Sequence, residues 1–161
     1  WLLHWLPKGK ISFDKSGDLS KLHNMISEIQ YPPDTSAGTS AYKINYNLVN
    51  NTRYFESNDP LYHSALKIRL LYSIVEALVG YFSMRHIYWE GEKKAIQYLE
   101  KNDPEYLSIF QRTVRASNLR DKFLAYRDLV EKSYTEEYPK WDKNVAVSIE
   151  GDFGAFWTNL L

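Results

Sequence analysis

The sequence predicts an all-α fold: a helical bundle of about five to six helices preceded by a short N-terminal strand. Three observations lead there. Apolar residues recur at spacings of three and four through most of the chain, as on one face of a helix. Prolines preceded by capping residues, at Asp59-Pro60 and Asp103-Pro104, restart helical patterns, and Pro32-Pro33 and Pro139 stop them. Strand-like sequence is confined to Ile11, Ser12 and Phe13 and to an ambiguous stretch at 145–149.

Taken in order, the strand at Ile11 runs into Asp14-Lys15-Ser16-Gly17, where glycine supplies positive φ and aspartate bonds its own backbone, so a turn is expected. Leu19, Leu22, Ile26 and Ile29 then form one apolar stripe to about Gln30, with Ser16 or Asp18 as the cap. "YPPD" ends that helix. A second helix over 40–57 is carried by Tyr42, Tyr46, Val49 and Tyr54, against the poor helix propensity of its asparagines. Asp59-Pro60 starts a third, running to about Trp89 with a break or bend near Gly80. "EGEKKAIQYLEKN" gives a short amphipathic helix. Asp103-Pro104 starts another through Leu107, Phe110 and Val114, and Leu119 to about Tyr138 gives the last. The tail over 140–161 does not declare a structure.

At 161 residues the chain is one ordinary domain's worth of sequence. Twenty basic and twenty acidic residues cancel, so no strong field draws it to nucleic acid. With no cysteine there is neither a disulfide framework nor a thiolate metal site, which suits a reducing cytoplasm. The four histidines show no paired ligand spacing. The apolar run from Leu70 to Phe82 is interrupted by Glu76 and too short to span a bilayer, so no membrane association is expected. No phosphate loop of the G-x-x-x-x-G-K-[ST] type and no G-x-S-x-G elbow is present.

The third helix carries the most informative pattern. Leu66, Leu70, Ile74, Leu78 and Tyr81 form an apolar ridge, while Arg69, Ser73, Glu76, Gly80 and Ser83 form a polar or small one. Charges on a mostly apolar helix need either a wet cleft or partners on a neighbouring helix. Arg69 and Glu76 stand roughly 10 Å apart along the axis, too far to pair directly but placed to grip two parts of one ligand. "YWEGEKKA" sets Tyr88 and Trp89 before a glycine corner and a helix start rich in lysine, a second candidate suited to an anion. Arg53-Tyr54 is a third.

The order of these features resembles the nucleotidyltransferases of the polymerase-β superfamily, in particular the small two-domain, kanamycin-nucleotidyltransferase-like kind. "KISFDKSGDLSKL" is similar to the junction where that family's catalytic sheet passes into an all-helical domain. "WLLHWLP" resembles the segment before it, and "SALKIRLLYSIVEALVGYF" and "RHIYWEGEKKAIQYLEKNDP" resemble parts of the helical domain. The likeness spans about 1–112. It implies a remnant strand and turn at 1–17 and a substrate-binding helical domain over 18–161. The partners it implies are a nucleoside triphosphate and an acceptor hydroxyl. The family's diagnostic G-S turn and D-x-D carboxylates, which hold two Mg²⁺, are absent here, so Mg²⁺ would come only through a separate catalytic domain. No cofactor is then bound by this chain alone, no catalytic residue is assigned, and the fragment is inactive by itself.

Under that resemblance Glu76, Arg69 and Tyr72 are the substrate-binding candidates, and Lys93 and Arg53 the phosphate-binding ones, Arg69 also being suited to an anionic group. Relatives place a helix carboxylate near the attacking hydroxyl as general base, and the position that aligns is Asn47, an amide unable to take the proton. The competing expectation is a non-catalytic, HEPN-like helical interaction domain, a homodimer. No arginine is followed at four to six residues by the histidine that marks HEPN ribonucleases.

Overall fold

The computed structural model describes residues 9–28 and 36–142. The segments 1–8, 29–35 and 143–161 lie outside them, and with them "WLLHWLP", the expected extension of the first helix to Gln30, "YPPD" and the ambiguous stretch at 145–149. The chain divides into two compact units, Trp1–Pro33 and Asp34–Leu161. The first helix therefore belongs with the N-terminal unit.

In the first unit, residues 9–17 carry no regular secondary structure. Helix α1 (Asp18–Ser27) follows Gly17, which sits in the left-handed region at φ 74°. The cap is neither Ser16 nor Asp18. Asp14 reaches over the turn, its carboxylate accepting from the Ser20 N–H at 2.7 Å, the Leu19 N–H at 3.4 Å and the Ser20 hydroxyl at 2.7 Å. These bonds, led by the Ser20 hydroxyl, hold the Asp14 carboxyl below its ordinary range.

The second unit is a bundle of five helices: α2 (Ser36–Glu56), α3 (Pro60–Ser83), α4 (Glu92–Asn102), α5 (Pro104–Arg115) and α6 (Leu119–Ser133). Helix α3 is its axis, packed against α2, α5 and α6, while α4 lies mainly on α5. Short connections make α2 and α3, and α5 and α6, consecutive helix pairs. The proline signals are borne out in atomic detail. Asp59 accepts from the Leu61 N–H at 2.8 Å, with Pro60 opening α3. Asp103 accepts from the Tyr106 N–H at 2.9 Å and, with its other oxygen, from the Tyr81 hydroxyl at 2.8 Å.

Two helix ends differ from expectation. Helix α3 neither breaks at Gly80 nor continues to Trp89. It closes in a Schellman turn in which the Ile87 N–H donates to the Phe82 carbonyl at 2.9 Å and the His86 N–H to the Ser83 carbonyl at 3.0 Å. His86 takes the left-handed position, φ 55°, usually given to glycine. Helix α6 stops at Ser133 rather than near Tyr138, because Arg85 from beyond α3 donates to the last carbonyls, Ser133 at 2.8 Å and Lys132 at 3.2 Å. A cation at a helix C-terminus is favoured by the dipole, and this guanidinium also lies 3.8 Å over the Tyr81 ring.

The core is apolar with polar ties. Leu66, Leu70, Leu99, Leu129 and Val130 are fully buried, and Phe55 stacks on Phe123 with centroids 4.2 Å apart. Tyr106, also fully buried, donates to the Ala77 carbonyl at 3.0 Å and shares a 3.0 Å hydrogen bond with Ser133. After α6 the chain is latched to α2 by Asn45, whose carbonyl accepts from the Tyr134 hydroxyl at 2.9 Å and the Trp141 N–H at 2.8 Å. No helix of the described residues is long and apolar enough to cross a membrane.

Candidate functional site

Where α2 and α3 face each other, a stripe of asparagines on one meets the polar ridge of the other. Asn47 and Asn51 are one turn apart on α2 and both buried. Arg69, on α3, donates through Nε to the Asn51 carbonyl at 2.7 Å and through Nη2 to the Asn47 carbonyl at 3.0 Å. Asn47 then donates to Glu76 Oε2, and Asn51 to the Ser73 hydroxyl at 3.1 Å. The two charges, too distant to pair directly, are thus joined through an amide that accepts from one and donates to the other.

The guanidinium of Arg69 also lies over two tyrosine rings, 5.2 Å from the Tyr54 centroid and 5.6 Å from that of Tyr72. Arg53 reaches the same Tyr54 ring at 5.6 Å. Below them, the buried Tyr126 hydroxyl approaches Asn51 and Ser73 without completing a hydrogen bond to either, and burial pushes this phenol above its ordinary range. Arg69 and Glu76 are half-buried and Tyr72 exposed, so the cluster opens to solvent on the α3 side.

Four of the five sequence-derived candidates therefore come together. Arg69, Tyr72 and Glu76 share the cluster directly, and Arg53 joins it through Tyr54. Lys93 does not: it is exposed on α4, away from this helix pair. The carboxylate and the guanidinium each have intramolecular partners, so the arrangement can fix a carboxylate in place and present one tyrosine face beside it. What the sequence reading passed over is Asn51, and Ser73 as its partner. The signal was available, in two asparagines four residues apart opposite a helix with a polar ridge.

A second surface feature lies on the same helix. Leu61, Ile68, Leu71, Tyr72 and Val75 recur at helical spacing along α3 and all are exposed, Ile68 and Leu71 at 66% and 67%. Among the described residues no group of three or more His, Asp or Glu side chains is arranged to hold a metal ion. Comparison with protein-family models, curated proteins and solved structures found no match to the chain.

Proposed function

We propose that the chain is the helical, acceptor-binding part of a two-domain nucleotidyltransferase, transferring a nucleoside monophosphate from a triphosphate to an acceptor hydroxyl once a metal-holding catalytic domain is joined to it. The observation that supports this most is the Asn47–Glu76 hydrogen bond. Some relatives in that family place a carboxylate where Asn47 aligns, and Glu76 brings one to within a single hydrogen bond of that position from the facing helix. Asn47 holds Oε2, and Oε1 makes no hydrogen bond among the described residues. In this reading the acceptor hydroxyl loses its proton to Glu76 as its oxygen bonds the α-phosphorus and pyrophosphate leaves. Tyr72 and Arg69 line the acceptor's approach. The exposed Phe13, Leu19, Leu22 and Met25 of the N-terminal unit fit a segment seated against a catalytic sheet.

In the enzyme assembled with its catalytic domain, Glu76→Gln is expected to lower kcat for nucleotidyl transfer by about 10²–10⁴-fold. Its melting temperature should stay unchanged, because glutamine keeps the oxygen that Asn47 needs. Unchanged kcat removes Glu76 from the chemistry. A reading frame that encodes no G-S turn and D-x-D before Trp1 removes the nucleotidyltransferase reading altogether.

One observation favours a second reading, an interaction domain that pairs with a second copy of itself. The exposed stripe of α3 is self-complementary about a two-fold axis between Leu71 and Tyr72. An antiparallel pairing there sets Ile68 against Val75 and Lys67 against Glu76 of the other copy. Sedimentation equilibrium is expected to show a dimer that Leu71→Asp converts to a folded monomer. A monomeric parent at all concentrations ends this reading.

A further inference from the structure

The loop after α3 and the helix α4 enclose a groove of about 420 Å³ that the proposal above leaves without a role. Its floor is Phe82, buried at the end of α3. Trp89 and Tyr98 both stand edge-on to that ring, with centroids 5.5 and 5.4 Å away and interplanar angles of 77° and 62°. Two half-buried aromatic side chains are thus held upright on one buried ring, each fixed by an edge-to-face contact. Such walls suit a flat ring, and the volume falls within the roughly 300–1,000 Å³ typical of small-molecule sites.

The α4 side of the groove is cationic. Lys94 and Lys101 both line it, seven residues apart on one helix face and therefore roughly 10 Å along the axis. Both are exposed, and neither forms an ion pair among the described residues, whereas Lys132 and Lys140 each meet a glutamate at 2.8 Å. Glu90 also lines the groove. The rings and Glu90 alone would suit an organic cation, but two unpaired ammonium groups oppose one.

We propose that this groove binds a nucleoside monophosphate, its base against Trp89 and Tyr98 and its phosphate between Lys94 and Lys101. Stacking tolerates any base because each has a π-face, while the lysines act as point charges for phosphate. The site is separate from the Arg69–Glu76 cluster and rests on no part of the nucleotidyltransferase reading.

Calorimetric titration of the full 161-residue chain tests it, with AMP, adenosine, ribose 5-phosphate and choline as probes. AMP is expected to bind at least about tenfold more tightly than adenosine, which lacks the phosphate, and than ribose 5-phosphate, which lacks the base. The double substitution Lys94→Gln/Lys101→Gln, at two exposed positions, should weaken AMP by about tenfold or more and leave adenosine and the melting temperature unchanged. Trp89→Leu should weaken AMP and adenosine alike. Ribose 5-phosphate binding as tightly as AMP would reduce the groove to a bare cationic patch and overturn the proposal. Choline binding more tightly than AMP, no AMP binding at millimolar concentration, or AMP affinity indifferent to the lysine substitutions would each overturn it as well.

Discussion

Gly80→Leu is expected to abolish cooperative unfolding of the helical unit, and Gly80→Ala to lower its stability by about 1–2 kcal/mol. The reason lies in how closely α2 crosses α3. A Cβ built on Gly80 overlaps Ile44 Cδ1, lies 3.3 Å from Ile44 Cγ1 and 3.7 Å from Ser40 Cβ. Ile44 is 1% exposed and has little room to yield. Alanine gains up to about 1 kcal/mol over glycine in helix propensity, but overpacking a core costs about 1–3 kcal/mol. Leucine adds three further carbons into the same contact. The penalty then approaches the whole stability of a domain, about 5–15 kcal/mol. The clash names its own rescue, since Ile44→Val removes Cδ1. That change alone costs about 0.5–1.5 kcal/mol, yet Gly80→Ala with Ile44→Val should be at least as stable as Gly80→Ala. Urea midpoints at constant m-value measure all of these. A midpoint for Gly80→Ala above that of the parent would show that the two helices part freely here.

The same glycine marks where the sequence was legible and where it was not. Periodicity and the two Asp-Pro caps located the helices of the bundle, because those signals are local. A glycine inside an apolar helix has two physical causes, a bend or a close neighbour, and only the facing helix distinguishes them. Helix ends were misjudged for a related reason. His86 occupies the left-handed position without being glycine, and α6 is stopped by Arg85, more than forty residues away in sequence, before Pro139 is reached. Asp14 caps α1 across its turn from a position outside the usual capping register. Within the site, the α3 ridge of Arg69, Ser73 and Glu76 could be read from spacing alone. That asparagines of α2 complete it could not, since low helix propensity is the local signature of asparagine and its bridging role appears only on burial. The corner at "YWEGEKKA" pointed to lysines at a helix start. The register of α4 turns Lys94 and Lys101 into the groove, not Lys93.

Arg69→Met is expected to lower the melting temperature by about 10 °C, and Arg69→Lys by about half as much. Asn47 and Asn51 are 6% and 0% exposed, and both amide groups are oriented by what their nitrogens donate to, Glu76 and Ser73. Their oxygens therefore point at Arg69 and have no other donor there. Removing the guanidinium leaves two buried acceptors unsatisfied at about 1–3 kcal/mol each. It also leaves Glu76 without its relayed counter-charge, a smaller loss because that carboxylate is half-exposed. Methionine keeps an unbranched stem beside Tyr54 and Tyr72, so the loss reports hydrogen bonds more than a cavity. Lysine carries one point charge where arginine's planar fork meets two separate amides, and it can satisfy one of them. For a unit of this size each kcal/mol moves the midpoint by about 2–8 °C, which gives the stated shift. Calorimetric melting of the two variants decides the matter. Equal midpoints for methionine and lysine would mean that packing, not the fork, holds the cluster. The contrast with Glu76→Gln assigns separate duties within one network. Arginine orients the amides and carries stability, the amides fix the carboxylate, and under the proposed function the carboxylate takes the acceptor's proton.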